Sequence, residues 1–296
     1  MGAAKGDGMR IFLGLDGGGT GCRARARLED GRMTAEHRGG PANVHTDPGG
    51  ALAAVRTLVA ETLAEARALA GEEGEVHAVL GIAGAVETGA APRITAALDL
   101  PHVTVVGDVD LALWAAFQGG DGIIAALGTG SVFARQLGGR MARVGGYGFD
   151  LGDEASGAWI AREALSRALH ARDGLGPAGP LTEALWAAFG DPGTMMIFAR
   201  DARPADFAAH APAVIDHARA GCPVALAIID AAADWVTRAV DGLQPEGRIL
   251  PVALMGGIGP VIAARLTERG RRWPQVTPRG TMLDGALWRA GRMAGA

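Results

Sequence analysis

The sequence predicts an α/β protein of two similar halves, each a mixed sheet flanked by helices. Three observations carry this reading. A strand–turn–strand pattern occurs twice, as IFLGLDGGGTGCRARARLEDGRM from Ile11 to Met33 and as IIAALGTGSVFARQLGGRM from Ile123 to Met141. Each copy is an apolar run, a small-residue turn with Thr at its centre, a second run with Ala and Arg interleaved, and a turn ending Gly-Arg-Met. Thr20 and Thr129 lie 109 apart and Met33 and Met141 lie 108 apart, so the copies align with one residue of slip. The order β-β-β-α-β-α then follows from each hairpin, and a hairpin ahead of each crossover makes the sheets mixed. Finally, 296 residues suffice for two domains of ~100–150 residues each. The boundary is expected near Gly119–Gly122, giving domains at 1–120 and 121–296.

The elements follow in order. Ile11–Leu15, Cys22–Leu28 and Met33–Arg38 read as strands joined by tight turns, the second alternating Arg23, Arg25 and Arg27 with Ala24 and Ala26. Ala51 to Ala70 has helical spacing and strong helix formers. Val76–Ala83 and Val103–Val106 read as strands with a short helix at Arg93–Leu98 between them, and Asp110 to Gln118 as a helix capped by Asp108 or Asp110. In the second half the hairpin from Ile123 is followed by a glycine-broken loop, Gly145 to Asp153, and a helix from Glu154 to His170. An Ala-rich helical insertion fills about 171–242. Ile249–Met255 is then a strand, Pro260–Arg269 a helix, Trp273–Thr277 a last strand and Asp284–Met293 a closing helix.

Composition excludes several functions. A net charge of -4 offers no electrostatic footprint for nucleic acid or an anionic membrane. No apolar stretch reaches the ~18 residues that span a bilayer, and Met1 to Arg10 lacks a signal-peptide core, so the expected location is cytoplasmic. Cys22 and Cys222 make neither a disulfide framework nor a metal cluster. The seven histidines never pair at close ligand spacing, so a histidine metal site is not expected. Lys5 is the only lysine against 27 arginines. That removes the P-loop, the protein-kinase scheme and Schiff-base chemistry, all of which need an interior lysine. Phosphate chemistry here must use backbone amides, hydroxyls and a metal.

Glycines at Gly17, Gly18 and Gly19, with Thr20, let the chain turn and point successive N–H groups at an anion. Asp16, ending the strand, can hold a hydrated Mg²⁺. Gly128, Thr129, Gly130 and Ser131 form the matching turn of the second half, so two turns facing a central cleft could grip one polyphosphate. Either turn alone is also an ordinary hairpin feature. Gly256 and Gly257 close a third strand ahead of a helix and could carry a ring or phosphate. Asp108 either caps the following helix or faces the cleft as a proton acceptor for a hydroxyl. The loop from Gly145 to Gly157 mixes aromatics with carboxylates and suits a sugar; Tyr147 and Phe149 offer apolar surface, and Asp150, Asp153 or Glu154 could bind hydroxyls or cap the next helix. Asn43, in the loop Gly40–Val44, could reach a cleft ligand.

Together these motifs resemble the superfamily of sugar kinases, hexokinases, heat-shock chaperone ATPases and actin: Asp16–Gly21 its first phosphate motif, Gly128–Ser131 the second, Met255–Gly259 the adenosine motif. Within it, GGYGFDLGDEASGAWIAREAL is similar to the GGWG-x-x-LGDEGS signature of the N-acetylglucosamine and glucosamine kinases of the BadF/BadG/BcrA/BcrD-type ATPase family. Tyr147 stands where Trp is usual and Ala155 where Gly is usual. The resemblance implies two ribonuclease H-like domains and a kinase that uses ATP and Mg²⁺ to phosphorylate the 6-hydroxyl of an amino sugar, with N-acetyl-D-glucosamine expected ahead of glucosamine. It implies that Asp108 is the catalytic base, that Asn43, Asp108, Thr129 and Asp153 contact the sugar beside Gly146 and Tyr147, and that a homodimer is possible. The same family holds ATPases that activate 2-hydroxyacyl-CoA dehydratase and benzoyl-CoA reductase, but Cys22 and Cys222 lack iron–sulfur spacing.

Overall fold

A computed structural model describes residues 8–19, 21–44, 47–71, 73–270 and 272–295. The chain divides into two units, one running to Gly119 and resuming at Pro278, the other spanning Gly120–Thr277. The first contains β1 (Arg10–Gly17), β2 (Cys22–Leu28), β3 (His37–Gly39), α1 (Pro48–Ala70), β4 (Glu75–Ile82), α2 (Ala91–Leu98), β5 (His102–Val106) and α3 (Asp108–Phe117). Its sheet has the order β3-β2-β1-β4-β5, antiparallel on the hairpin side and parallel across β1, β4 and β5. The period-2 pattern of β2 buries Cys22, Ala24, Ala26 and Leu28 and leaves its arginines half-buried. Ile11, Leu13 and Leu15 of β1 face the core beneath α1, while Phe12 packs on the other face with Val79 and Leu111. α1 starts three residues before the apolar period: the Asp47 carboxylate accepts the Gly50 N–H at 2.9 Å and Pro48 sits in the first turn, where its missing donor costs nothing.

The second unit contains β6 (Gly122–Leu127), β7 (Ser131–Leu137), β8 (Arg140–Gly145), α4 (Gly157–Arg172), α5 (Pro180–Phe189), α6 (Pro192–Asp201), α7 (Pro204–Ala208), α8 (Ala211–Arg219), α9 (Pro223–Leu243), β9 (Val252–Met255) and α10 (Gly259–Glu268). Its sheet order, β8-β7-β6-β9, repeats β3-β2-β1-β4 of the first unit. The duplicated hairpin is therefore the outer part of a duplicated sheet. No single helix among the described residues is long and apolar enough to cross a membrane.

Four expectations change. Met33–Arg38 is not one strand: Met33 makes an isolated bridge to Arg27, and pairing resumes only at His37. The helix expected from Glu154 begins at Gly157, capped by the Ser156 hydroxyl, because Asp153 and Ala155 are left-handed at φ 57° and 67°. Trp273–Thr277 is not a strand; Gln275 makes one bridge to Val252, and Pro274 beside it has no N–H to extend the ladder. The closing helix, α11 (Met282–Met293), packs in the first unit and not the second. Small residues allow this. A Cβ on Gly14 would stand 3.0 Å from the Ala286 methyl, and one on Gly285 would stand 2.7 Å from backbone atoms of α3. α11 and α3 thus cover the face of the sheet opposite α1.

Candidate active site

In the first unit, the carboxyl ends of β1, β4 and β5 carry the candidate chemistry, the edge at which parallel strands present their loops. Gly17 ends β1, and a Cβ there would meet the Ala42 methyl at 3.1 Å. Only a glycine lets the loop after β3 settle this closely. Ala42 N–H donates to the Gly18 carbonyl at 2.9 Å, and Gly18 N–H donates to Gly21 at 3.0 Å, closing the turn. Asn43 follows, its amide nitrogen 3.9 Å from where a Gly19 Cβ would stand. The loop Gly40–Val44 is thereby placed against the glycine turn; Thr20 itself lies outside the described residues. Asp16 pairs with Arg23, directly opposite it in the hairpin, at 2.6 Å.

Asp108 is the first residue of α3, exposed, with Oδ1 accepting the Val109 N–H at 2.9 Å. Two strand spacings, roughly 10 Å, separate the ends of β5 and β1. The helix starts at Asp108, with Gly107 as its N-cap residue, and both aspartates meet backbone there: Asp108 through Val109, and Asp110 by turning back to accept the Gly107 N–H. Burial, followed by the charge of Asp108, pushes the Asp110 carboxyl above the ordinary range despite that bond. Asp108 is exposed at the strand end.

In the second unit the equivalent turn is tied to α4. Gly128 N–H donates to Gly130 at 2.9 Å, Gly157 N–H to Gly128 at 2.8 Å and Ala158 N–H to Thr129 at 3.2 Å. The Ser131 hydroxyl donates to the Glu154 carbonyl at 2.7 Å. Asp153 lies against this turn: a Cβ on Gly130 would be 2.6 Å from its Oδ2. Its carboxylate accepts the N–H groups of Ser131 and Gly148, yet burial, with Glu154 nearby, holds its pKa above the usual value. Gly256, at φ 82°, brings the turn after β9 onto the Leu127 carbonyl, and Ile258 N–H donates to the same oxygen at 3.0 Å.

A cavity of about 450 Å³ opens beside these two turns, lined by Gly128, Thr129, Gly257 and Ile258 and walled by Ala211 and Ile215 of α8. That volume and apolar lining suit a flat heteroaromatic ring. Asp216 and Arg219, paired at 3.1 Å, stand at the same cavity. Sequence reasoning missed this wall, because nothing local in the Ala-rich insertion shows that α8 returns to the hairpin turn.

The loop from Gly145 divides its aromatics. Tyr147 is 75% exposed. Phe149, expected to offer surface beside it, instead packs on Phe207 with centroids 4.8 Å apart and lies beneath the Arg162 guanidinium. The Gly146 carbonyl accepts from Arg143 at 2.7 Å, and Asp150 is exposed. Cys22 and Cys222 are both buried, one in each unit.

Two sheets of matching order, each with a glycine turn at a strand end, define an actin-like, ribonuclease H-like ATPase fold. The chain belongs to the BadF/BadG/BcrA/BcrD ATPase family, which it matches over residues 13–265. It is similar to "Glucosamine kinase GspK" of Vibrio cholerae, 29% identical over 286 residues, 96% of this chain and 97% of that one. An N-acetylmuramic acid/N-acetylglucosamine kinase of Clostridium acetobutylicum is 30% identical over 56% of this chain and 55% of its own. The crystal structure of a candidate N-acetylglucosamine kinase from Chromobacterium violaceum superposes with a TM-score of 0.80 at 31% identity, covering 95% of this chain and 98% of that one.

Proposed function

We propose that this ATP-dependent sugar kinase moves the γ-phosphoryl group of ATP to the 6-hydroxyl of an amino sugar, N-acetyl-D-glucosamine. The observation that carries the reading is the position of one carboxylate. Asp110 is half-buried, whereas Asp108 stands exposed at the strand end on the same sheet edge as the Asp16–Gly19 turn. A binding protein has no use for such a base. Asp108 orients the sugar hydroxyl and takes its proton as the phosphoryl group arrives. The N–H groups of the Gly17–Gly19 and Gly128–Ser131 turns that do not close the turns themselves serve phosphate oxygens, and the cavity beside Gly257 receives the adenine. Asn43, Thr129, Gly146, Tyr147 and Asp153 serve the sugar.

Asp16 is a fitting anchor for hydrated Mg²⁺, which keeps most of its waters and needs one or two carboxylates besides the nucleotide. Arg23 pairs with Oδ2 of this carboxylate. When bound, Mg²⁺ neutralises charge on the transferring phosphate. Use of ATP supports a cytoplasmic location.

Tyr147 supports the N-acetyl sugar, since an exposed ring offers a wall for the acetyl methyl. The Vibrio cholerae relative, aligned over nearly its whole length, favours glucosamine instead, and exposed Asp150 could meet a protonated C2 amine. A coupled ATP assay over hexoses and amino sugars separates them. A glucosamine preference of about tenfold in kcat/KM, roughly 1.4 kcal/mol, overturns our choice, and Asp150→Asn should then abolish that preference.

A further inference from the structure

Three ligand-type side chains that phosphoryl transfer leaves unused meet at the opposite end of the first sheet, where β4 and β5 begin. Parallel pairing sets His77 beside His102, and Glu75 precedes His77 by two residues, on the same face of β4. The two imidazoles stack with centroids 4.7 Å apart and planes within 10°. Glu75 Oε1 is 3.1 Å from His102 Nε2 and 3.5 Å from His77 Nε2. One ligand atom from each residue falls within 4.8 Å of the other two. His77 is only 5% exposed; its Nδ1 has no hydrogen-bond partner, and its Nε2 meets only the Glu75 carboxylate, at the long distance of 3.5 Å. Buried polar nitrogens are rarely left this way, because the lost solvation is not returned.

We infer that Glu75, His77 and His102 form a binding site for a divalent transition-metal ion of the zinc type. Four-coordinate zinc with bonds of ~2.0–2.2 Å sets neighbouring ligand atoms roughly 3.3–3.5 Å apart, and the separations from Glu75, 3.1 and 3.5 Å, bracket that value. Two imidazoles with one carboxylate select borderline metals over Mg²⁺ and Ca²⁺, which take oxygen. Burial lowers the pKa of His77 and so favours the neutral imidazole, the form that binds metal. The stacked rings must open for both nitrogens to aim at one point. His102 and Glu75, whose side chains are 46% and 50% exposed, have room to turn, while His77 is held by its surroundings. Water completes the shell on the exposed side. Arg10, whose charge acts on His77, is ion-paired with Glu29, which offsets its repulsion. Linear spacing hides the site, because the ligands come from two strands joined through α2. The metal would pin the starts of β4 and β5, roughly 20 Å along β4 from the reacting end.

The test is calorimetric titration of the tag-free, chelator-treated chain with zinc chloride, without nucleotide. One equivalent should bind and saturate at micromolar metal, with a rise in melting temperature. His102→Ala and Glu75→Gln should each abolish that binding while leaving ATP-dependent sugar turnover and circular dichroism unchanged. Cobalt on the unmodified chain gives a second reading that needs no variant: a tetrahedral visible band that zinc displaces. The absence of saturable zinc binding, the absence of the cobalt band, or zinc binding that survives in both variants overturns the inference.

Discussion

The contact between Gly130 and Asp153 makes a quantitative claim about the candidate site. Gly130→Ala would put a methyl 2.6 Å from Asp153 Oδ2 and 3.2 Å from its Cγ, well inside the ~3.5 Å at which unbonded heavy atoms settle. Gly130 does not have a positive φ, so the alanine brings no backbone strain and the clash is the whole effect. The carboxylate is the movable partner, and moving it weakens bonds from the Ser131 and Gly148 N–H groups. Hydrogen bonds to a charged group contribute about 1.5–3 kcal/mol each. Burial already penalises this carboxylate, so part of that loss is returned. The expected net cost is about 1–3 kcal/mol, with a melting temperature lower by roughly 3–10 °C for a chain of this size. Sugar kcat/KM should fall as well, since Asp153 no longer presents the same oxygen. A double-mutant cycle isolates the cause. In an Asp153→Ala background the methyl meets no carboxylate, so Gly130→Ala should become nearly neutral, leaving a coupling of about 1 kcal/mol or more. Urea unfolding of the four proteins measures it. Equal cost in both backgrounds would mean that the carboxylate is not what Gly130 accommodates.

Asp108→Asn should lower kcat by about 10²–10⁴ with little change in sugar KM, whereas Asp110→Asn should retain turnover; the reverse pattern in steady-state kinetics would sink the assignment of the base. The raised pKa of Asp110 means the folded state holds its proton more tightly, so its stabilising contribution is complete below about pH 3.9 and lost as pH rises through the raised value. Asp110→Asn should therefore be more stable than the parent at pH 7, with the difference shrinking toward pH 4, and a pH-independent difference in urea midpoints contradicts this. Gly256→Ala combines a left-handed φ of 82° with a clash on the Leu127 carbonyl; a loss of about 2–5 kcal/mol and a raised KM for ATP are expected, and wild-type values for both would refute the packing. Ala155→Gly exchanges relief of about 1 kcal/mol of strain at φ 67° for one buried methyl of about 0.8 kcal/mol, so thermal melts should barely shift; a loss above about 2 kcal/mol would show that the methyl is needed.

The hairpins are legible in the sequence because strand period and glycine turns are local signals, and they occur twice. Trp273–Thr277 misleads for a local reason too: its apolar pattern resembles a strand, but Pro274 limits pairing to one bridge. The return of α11 to the first unit is not legible, because Gly14 and Gly285 reveal their purpose only when the helix lies against β1 and α3. The same limit applies to the site. The turn residues stand out as glycine clusters at strand ends. The α8 wall of the cavity and the diversion of Phe149 onto Phe207 are long-range packing outcomes with no periodic signature.

That return has a consequence for synthesis. The unit spanning Gly120–Thr277 is continuous, and all of its strands and helices have been made before α11 appears. The other unit is made first but lacks α11, which helps cover Phe12 and Val79. On the ribosome its sheet waits with one apolar face covered only by α3 while the whole intervening unit is translated at about 5–20 residues per second. The unit whose strands come first in the chain is therefore completed only after the unit inserted within it.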